Sequence, residues 1–368
     1  MKFVCEKNIL CEAVNNILPA VSAKSTIIAL EGIKLSLKNN LLSLTGYNLE
    51  LGITKTIQVK SNDEGEIVLT ATLLSNIINK MPDGNISFET DEKLLTLIKC
   101  DDIEFTILGL NSEEFPEMPT ISDSKEFCLN QVLLKNMISQ TIFCISQNDQ
   151  NPVHTGSLFD LSNGQLTIVS VDGYRLALRK ADVTASDDFK FIIPGKTLSE
   201  IVKLLSRFSD DKEDISISVS NKHISFSISG YVIISRLIEG NFLDYKNTIP
   251  KECKTTVELL TKEFLETINR TSIIINERAK SPVKCHFENN SIKVFCETAL
   301  GKVNDSVDCK ITGEDVKIGF NNKYMADALK SAECDKIKIE LNGPISPMKI
   351  SPIDDDRFLF LVLPVRLN

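Results

Sequence analysis

The chain has 368 residues, of which 42% are hydrophobic and 25% are charged, a composition typical of a soluble globular protein. Its length exceeds what one hydrophobic core usually organises, so two or three domains are expected. The net charge of −9 argues against nucleic-acid binding unless the basic residues are concentrated on one face. No apolar run reaches about 18 residues and the N-terminus has no apolar h-region, so neither a membrane span nor a signal peptide is predicted.

The first repeated element along the chain is a short strand followed by a helix of 3.6-residue periodicity. It occurs three times, about 125 residues apart: KFVCEKNILCEAVNNIL from Lys2, EFCLNQVLLKNMISQTIF from Glu126 and TTVELLTKEFLETINRTSII from Thr255. Asn130 and Thr261 are suited to cap two of these helices at their N-termini. A repeat of this length indicates three similar domains.

Each repeat continues with a hairpin, then a strand and a second helix, then further alternating strands. Asn39-Asn40, Asn163-Gly164 and Asn289-Asn290 occupy the same place in the three hairpins, and Asn and Gly tolerate the positive φ of a tight turn. The first two repeats end in the linkers LNSEEFPEMP and IEGNFLDYKNTIP, each with a Phe expected to be buried. The predicted domains are therefore 1–121, 122–251 and 252–368.

The fold predicted from these repeats is α+β, with two helices and about eight strands in each domain. Helices that cover one face of such sheets would lie on one side of an arc. Two arcs could close head to tail into a dimeric ring, because unpaired edge strands at the two ends would supply the contact.

The segment VDGYRLAL raises three alternatives for Asp172, Tyr174 and Arg175: a catalytic cluster, a tight turn or a docking surface. The first repeat has TGYNLEL at the same place, which favours a turn made by Asp172 and Gly173, with Leu176 and Leu178 facing the core. No phosphate-binding, serine-hydrolase, dinucleotide or HExxH motif is found.

Acidic residues and cysteines elsewhere suggest no metal centre. Asp354-Asp355-Asp356 are expected to form a solvated hairpin tip, and no two of the ten cysteines have CxxC spacing. We therefore expect no metal, no cofactor and no catalytic residue. Scattered thiols are typical of a reducing cytosol, so a cytoplasmic location is expected.

Five segments together resemble the bacterial beta sliding clamps, the processivity subunits of DNA polymerase III. They are SLTGYNLEL, DGYRLA, FLDYKNTIP, GFNNKYMADALK and the terminal LPVRLN. The resemblance implies the DNA clamp fold, a head-to-tail homodimeric ring around duplex DNA, and no catalysis. It also implies partners that bind through short peptides: the polymerase III catalytic subunit, the clamp loader, other polymerases and repair factors. Two rival classes are a structural or carbohydrate-binding sheet protein and a hydrolase that uses Asp172.

In the family the helices line the central hole, so the net charge of the helices indicates whether the surface facing DNA would be basic. The segments 7–20, 72–80, 130–146, 196–207, 261–280 and 322–333 carry a net charge of +5, which leaves −14 on the rest of the chain. Such a lining would hold DNA without reading its sequence. The residues expected to contact DNA are Lys24, Lys80, Asn148, Lys196 and Lys203.

The resemblance also assigns a peptide pocket and a dimer interface. The pocket residues lie in the DGYR turn, the linker after Phe242 and the carboxyl terminus: Gly173, Tyr174, Arg175, Leu176, Leu243, Thr248, Leu363, Pro364, Val365, Arg366 and Leu367. Leu363, Val365 and Leu367 are expected to alternate on a terminal edge strand. The family often has His in place of Tyr174 and Pro in place of Leu243. The interface is expected at Phe105, Ile107, Ile273 and Ile274.

Overall fold

The computed structural model describes residues 1–148, 150–184, 187–208, 213–275 and 282–367. The chain forms two compact units. Unit 1 comprises residues 1–132 and 203–237, and unit 2 comprises residues 133–202 and 238 to the end.

The helices and strands follow the predicted repeat order. The helices are α1 (Lys7–Ile17), α2 (Ala71–Lys80), α3 (Gln131–Ser139), α4 (Gly195–Phe208), α5 (Tyr245–Thr248), α6 (Thr261–Ser272) and α7 (Asn322–Ser331). The strands of the first repeat are β1 (Lys2–Glu6), β2 (Gly32–Lys38), β3 (Leu41–Tyr47), β4 (Leu51–Gln58), β5 (Gly65–Thr70), β6 (Asn85–Thr90), β7 (Leu95–Cys100) and β8 (Ile103–Leu108). Those of the second are β9 (Lys125–Asn130), β10 (Gly156–Ser162), β11 (Gln165–Val171), β12 (Arg175–Asp182), β13 (Phe189–Pro194), β14 (Asp214–Val219), β15 (His223–Ile228) and β16 (Tyr231–Arg236). Those of the third are β17 (Thr255–Leu260), β18 (Val283–Glu288), β19 (Ser291–Thr298), β20 (Gly301–Asp308), β21 (Lys310–Gly313), β22 (Val316–Phe320), β23 (Lys336–Leu341), β24 (Met348–Pro352) and β25 (Phe358–Val362).

Unit 1 contains a sheet that joins strands of two repeats. Its eight strands run β5-β2-β3-β4-β16-β15-β14-β9, with β4 and β16 antiparallel and Ile53 opposite Ile233. A second sheet, in the order β1-β6-β7-β8, leaves β8 at its edge. The amphipathic helix α1 buries Leu10, Val14 and Ile17, which recur at the spacing of one helix face.

Unit 2 repeats this arrangement with the remaining strands. A nine-stranded sheet runs β13-β10-β11-β12-β25-β24-β23-β17-β21, so that β12 of the second repeat pairs with β25 of the third. A four-stranded sheet runs β20-β19-β18-β22, with β20 at its edge. The core between helices and sheets is apolar, and Phe264, Phe287, Phe320 and Phe358 are fully buried in it.

The predicted hairpin turns are confirmed. Both central residues have positive φ in Asn39-Asn40 (52° and 61°), Asn163-Gly164 (52° and 73°) and Asn289-Asn290 (53° and 55°). Two consecutive positive φ values are those of a type I′ turn, whose twist matches that of the flanking strands. The Asp354–Asp356 segment also lies, as expected, between paired strands β24 and β25.

One of the two predicted helix caps is confirmed. The side chain of Asn130 accepts a hydrogen bond from the backbone N–H of Val132 at 3.0 Å, which is the cap of α3. The prediction for Thr261 is wrong, because Thr261 is the first residue of α6 and Leu260 occupies the cap position without a side-chain bond. Asn321 caps α7 by accepting from the N–H groups of Lys323 and Tyr324.

Two helices are shorter than the periodicity predicted. The segment 130–146 is helical only to Ser139 and continues as a 3₁₀ turn at Ile142–Cys144. The segment 261–280 is helical to Ser272, and its residues 276–280 lie outside the described residues. With the observed bounds, the net charge of the six long helices is still +5.

The linkers agree only partly with the prediction. Phe115 is buried as expected, whereas Phe242 is half-buried and Tyr245 takes the buried position in the second linker. No helix in the described part of the chain is long and apolar enough to cross a membrane. All ten cysteines are free thiols, and the described residues contain no cluster of three or more potential metal ligands.

Candidate partner-docking site

The DGYR segment is a turn fixed by its own aspartate. The Asp172 carboxylate accepts hydrogen bonds from the backbone N–H groups of Tyr174 (2.9 Å) and Arg175 (3.0 Å). Gly173 has φ +88°, a conformation that a residue with a Cβ adopts only with strain. Leu176 and Leu178 are each 2% exposed, so the predicted turn and its core-facing leucines are both confirmed.

Arg175 is held on both sides by carboxylates. Its Nε donates to Asp172 at 2.9 Å, and its Nη1 donates to Asp327 of α7 at 2.6 Å. The guanidinium also lies 4.4 Å from the ring centre of Tyr324. Burial alone would lower the pKa of Arg175, but the bonds to Asp327 and Asp172 raise it. The side chain is only 10% exposed, so Arg175 braces the turn and offers little surface to the predicted pocket.

Tyr174 is the exposed side chain that this brace presents. It is 62% exposed, and its ring stacks on Tyr324 with ring centres 6.1 Å apart and planes 27° apart. Offset stacking of this kind fixes the ring orientation and leaves one ring face open. A large, rigid, exposed aromatic ring of this type is suited to bind an apolar partner.

The carboxyl-terminal segment lies directly beside the turn. The N–H of Leu363 donates to the carbonyl of Tyr174 at 2.9 Å, and the N–H of Val365 donates to Gly319 of β22 at 2.8 Å. The strand itself ends at Val362, so the prediction that residues 363–367 alternate along a strand is wrong. Pro364 follows the strand end because it lacks the N–H that a further ladder bond would need.

Leu363 and Val365 remain open to solvent, at 39% and 37% exposure. Leu367 packs over Gly319, since a Cβ at Gly319 would lie 2.5 Å from the Leu367 Cδ2 atom. Arg366 is exposed. The segment therefore offers two apolar side chains next to Tyr174.

The linker that contains α5 packs on the sheet face that carries Leu176 and Leu178. Phe242 and Ile249 pack against the cluster that contains Leu176 and Leu178, and Phe242 meets His154 edge to face at 5.6 Å. Leu243 is 39% exposed, and Thr248 is held by a bond from its hydroxyl to the carbonyl of Asp244 at 3.1 Å. The predicted pocket residues thus belong to three segments that pack on one unit.

The same geometry bears on the hydrolase alternative. Both oxygens of Asp172 are occupied, one by two backbone N–H groups and the other by Arg175. Burial lowers the pKa of His154, and its Nδ1 lies 3.2 Å from the amide of Asn151. The three hydrogen bonds on this carboxylate fix the conformation of the turn, which gives Asp172 a structural role.

The five predicted DNA-contacting residues are all exposed. In unit 1, Lys24 lies in the segment after α1, Lys80 ends α2, and Lys203 lies on α4. In unit 2, the side-chain oxygen of Asn148 accepts from the N–H of Gln150 at 3.0 Å, and Lys196 lies in the first turn of α4.

The predicted interface residues differ in exposure. Phe105, on the edge strand β8, is 40% exposed, whereas Ile107 is 8% exposed and buried within its own unit. Ile273, just after α6, is 79% exposed and Ile274 is half-buried. Two of these four residues are therefore large apolar side chains in contact with solvent.

Comparison with known proteins identifies the family. The models for the N-terminal, central and C-terminal domains of the DNA polymerase III beta subunit match residues 1–119, 128–244 and 246–366. The chain belongs to the DNA polymerase III beta subunit family. The beta sliding clamp of Bacillus subtilis is 34% identical over 379 residues, and that of Halalkalibacterium halodurans is 34% identical over 381, with full coverage of each chain.

Solved structures of sliding clamps agree with this assignment. The DNA polymerase sliding clamp of Bacillus subtilis superimposes with a TM-score of 0.96 at 33% identity, and covers 100% of both chains. A putative beta subunit from Eubacterium rectale gives a TM-score of 0.94 at 32% identity and 99% coverage of each. The three-domain sliding clamp fold is thus confirmed. The chain is a processivity clamp of DNA polymerase III, a non-catalytic subunit.

Sequence reasoning missed two residues that contact the DGYR turn. Tyr324 and Asp327 lie on one face of α7, three positions apart, where they contact Tyr174 and Arg175 respectively. The segment 322–333 was expected to form this helix. It could not show which strand the helix would face.

Proposed function

We propose that two copies of this chain close head to tail into a ring around duplex DNA and tether the replicative polymerase through the groove beside Tyr174. The groove is defined by Tyr174, Leu363, Val365, Leu243 and Thr248. The observation that carries the proposal is the exposed Tyr174 ring, held by a braced turn next to two exposed apolar side chains. A partner would insert a short peptide with two or three apolar anchors.

The same groove would serve several partners in turn. The clamp loader, other polymerases and repair factors would compete with the polymerase III catalytic subunit for it, because each would present a similar peptide. We place this activity in the cytoplasm, where bacterial replication takes place.

The ring would form between edge strands of neighbouring copies. The strand β8 lies at the edge of its sheet and carries the exposed Phe105, and Ile273 lies exposed after α6. Unpaired edges with exposed apolar side chains favour pairing with another chain. The proposed domains that form each half-ring are 1–121, 122–251 and 252–368.

DNA would be held without base recognition. The six long helices carry a net charge of +5 in a chain of net charge −9, and the exposed Lys24, Lys80, Asn148, Lys196 and Lys203 would contact phosphates. Since the ring is closed, retention would depend on topology more than on affinity.

The docking proposal is tested by removing the carboxyl-terminal segment from Leu363 onward, of which Asn368 lies outside the described residues. The truncated chain should still encircle nicked circular DNA but fail to stimulate its polymerase.

A less disruptive variant, Leu363→Ser with Val365→Ser, keeps the backbone hydrogen bonds. It should also weaken the binding of a polymerase-tail peptide, as measured by calorimetry. The matched control is Val232→Ser, since Val232 has the same 39% exposure as Leu363 but lies on β16. Full stimulation by both test variants would place the docking site elsewhere.

A further inference from the structure

A cavity of about 530 Å³ opens beside α5. Its walls include the apolar residues Leu178, Tyr245 and Ile249, and its charged lining includes Asp160, Lys246 and Lys251. We call this cavity the lysine pocket. Its combination of an apolar wall and ammonium groups suits a ligand that is both apolar and anionic.

The one carboxylate in the floor of the lysine pocket is already neutralised. Asp160 is buried, accepts hydrogen bonds from the Tyr245 hydroxyl (2.9 Å) and the Ser162 hydroxyl (2.6 Å), and pairs with Lys190 at 3.0 Å. Burial would raise the pKa of Asp160, but the bonds from Ser162, Lys190 and Tyr245 lower it. The floor is therefore a fixed polar surface and does not repel an incoming anion strongly.

The lysines at the rim are less well compensated. A third lining lysine, Lys180, pairs with Asp356 at 2.6 Å, and Asp182 accepts a hydrogen bond from the lining residue Gln165 at 3.4 Å. Lys246 reaches Asp160 only at 3.7 Å and is 63% exposed. Lys251 is exposed, and no carboxylate within the described ranges lies in ion-pair distance of it. Lys246 and Lys251 are thus the two positive charges open to a ligand.

Two chain segments contribute to both the predicted peptide pocket and the lysine pocket. Leu176 and Leu178 lie two residues apart on the same face of β12, a distance of about 6.6 Å along a strand. On the linker, α5 carries Tyr245 at one end and Thr248 at the other, and Ile249 follows it. A bound peptide that follows either segment beyond the groove would bring its flanking residues toward Lys246 and Lys251.

We propose that the lysine pocket binds acidic residues that flank the apolar anchors of a partner peptide, with their carboxylates on Lys246 and Lys251. This inference rests on the proposed docking function and assigns a specificity to it. Two ammonium groups above an apolar wall match one or two carboxylates on a peptide. Nucleic acid would instead need a longer row of cations to meet successive phosphates. Rim charges of this kind contribute mainly to selectivity and association rate.

The test uses the full-length clamp and a tail peptide of its polymerase in several forms. One pair of forms carries Glu-Glu or Gln-Gln before the anchors, and a second pair carries them after the anchors. At low salt, one of the Glu-Glu forms should bind about three- to tenfold more tightly than its Gln-Gln partner, and this gain should fall as salt rises. Lys246→Gln with Lys251→Gln should abolish the gain. The control Lys222→Gln removes an exposed lysine of the β14–β15 turn and should keep it.

The outcomes separate the two proposals. If the unmodified tail peptide does not bind, the docking function itself fails. If it binds and neither Glu-Glu form gains affinity, or if the gain survives in the Lys246→Gln and Lys251→Gln variant, docking stands and the lysine pocket is not an acidic subsite. A salt-sensitive gain that disappears only in that variant supports the inference.

Discussion

Replacing Arg175 by methionine would remove the brace of the docking turn while it keeps most of the side-chain volume. The substitution takes away hydrogen bonds to two carboxylates, Asp172 and Asp327, whose side chains are 13% and 26% exposed. Hydrogen bonds to charged groups contribute about 1.5–3 kcal/mol each, and partial exposure places this pair at the lower end. The cation–π contact at 4.4 Å to Tyr324 adds about 0.5–1 kcal/mol. We expect the free energy of unfolding to fall by about 3.5–4 kcal/mol.

The brace also fixes Tyr174, so peptide binding should weaken with it. If Tyr174 no longer stacks on Tyr324, the peptide should bind about 1–2 kcal/mol less favourably, which corresponds to a Kd about five to thirty times higher. Thermal unfolding and calorimetry on Arg175→Met, on Asp327→Asn and on the double variant form a double-mutant cycle. A coupling of about 1–3 kcal/mol is expected between the two residues. Additive effects in this cycle, or unchanged peptide binding by Arg175→Met, would refute the role of the brace.

Three further outcomes are expected. Ile273→Asp with Ile274→Asp should give a folded monomer by size measurement in solution, because charges would be buried in an apolar contact; a persistent dimer would locate the interface elsewhere. Lys24→Ala with Lys196→Ala should flatten the salt dependence of DNA association by about one unit for each phosphate interaction that the substitutions remove, and an unchanged slope would exclude both residues from the DNA-facing set. Burial and the nearby Lys317 lower the pKa of His286. The contribution of neutral His286 to the stability of the folded chain is therefore complete above the unfolded pKa of about 6.5. It is lost as the pH falls through the folded-state pKa. Tm should fall between about pH 7.5 and about pH 5.5, and His286→Asn should reduce that fall; the same pH dependence in the variant would contradict this sign.

Local chemistry explains which elements could be predicted. The three hairpins depend on residues that accept positive φ, and Asn39-Asn40 and its two counterparts supply them within the turn itself. The DGYR turn was predictable for a similar reason, because Asp172 satisfies the N–H groups two and three residues ahead. Signals of this kind are complete within four residues, so they survive without knowledge of the tertiary fold.

Helix ends were harder to predict because apolar periodicity continues past them. In α3 the hydroxyl of Thr141 shares its proton between the carbonyls of Met137 (2.9 Å) and Ile138 (3.2 Å) in the last turn. The following 3₁₀ turn then buries Cys144 at 1% exposure, so the apolar pattern persists without a helix. In α6 the hydroxyls of Thr271 and Ser272 donate to the carbonyls three residues before them.

Long-range contacts at the docking site were beyond the reach of pattern reasoning. The hydrogen bond from Arg175 to Asp327 joins residues 152 positions apart, and neither segment contains a pattern that identifies its partner. The tail was predicted as a strand because its leucines alternate, but the structure ends the strand before Pro364 and uses Val365 for one bridge to Gly319. The residues of the groove could be named from the family resemblance, whereas the brace that orients Tyr174 could not.

The pairing of β4 with β16 has a consequence for how the protein is made. Ile53 has its partner in Ile233, 180 positions later in the chain. At a synthesis rate of about 5–20 residues per second, β16 emerges from the ribosome roughly 10–35 s after β4, and the edge of β4 lacks its partner during that time. During that interval the nascent chain carries an open strand edge that could pair with another nascent chain on the same messenger. The first repeat therefore cannot complete its sheet while it is the only part synthesised, and chaperone protection or slow collapse of that edge should govern the yield of native protein.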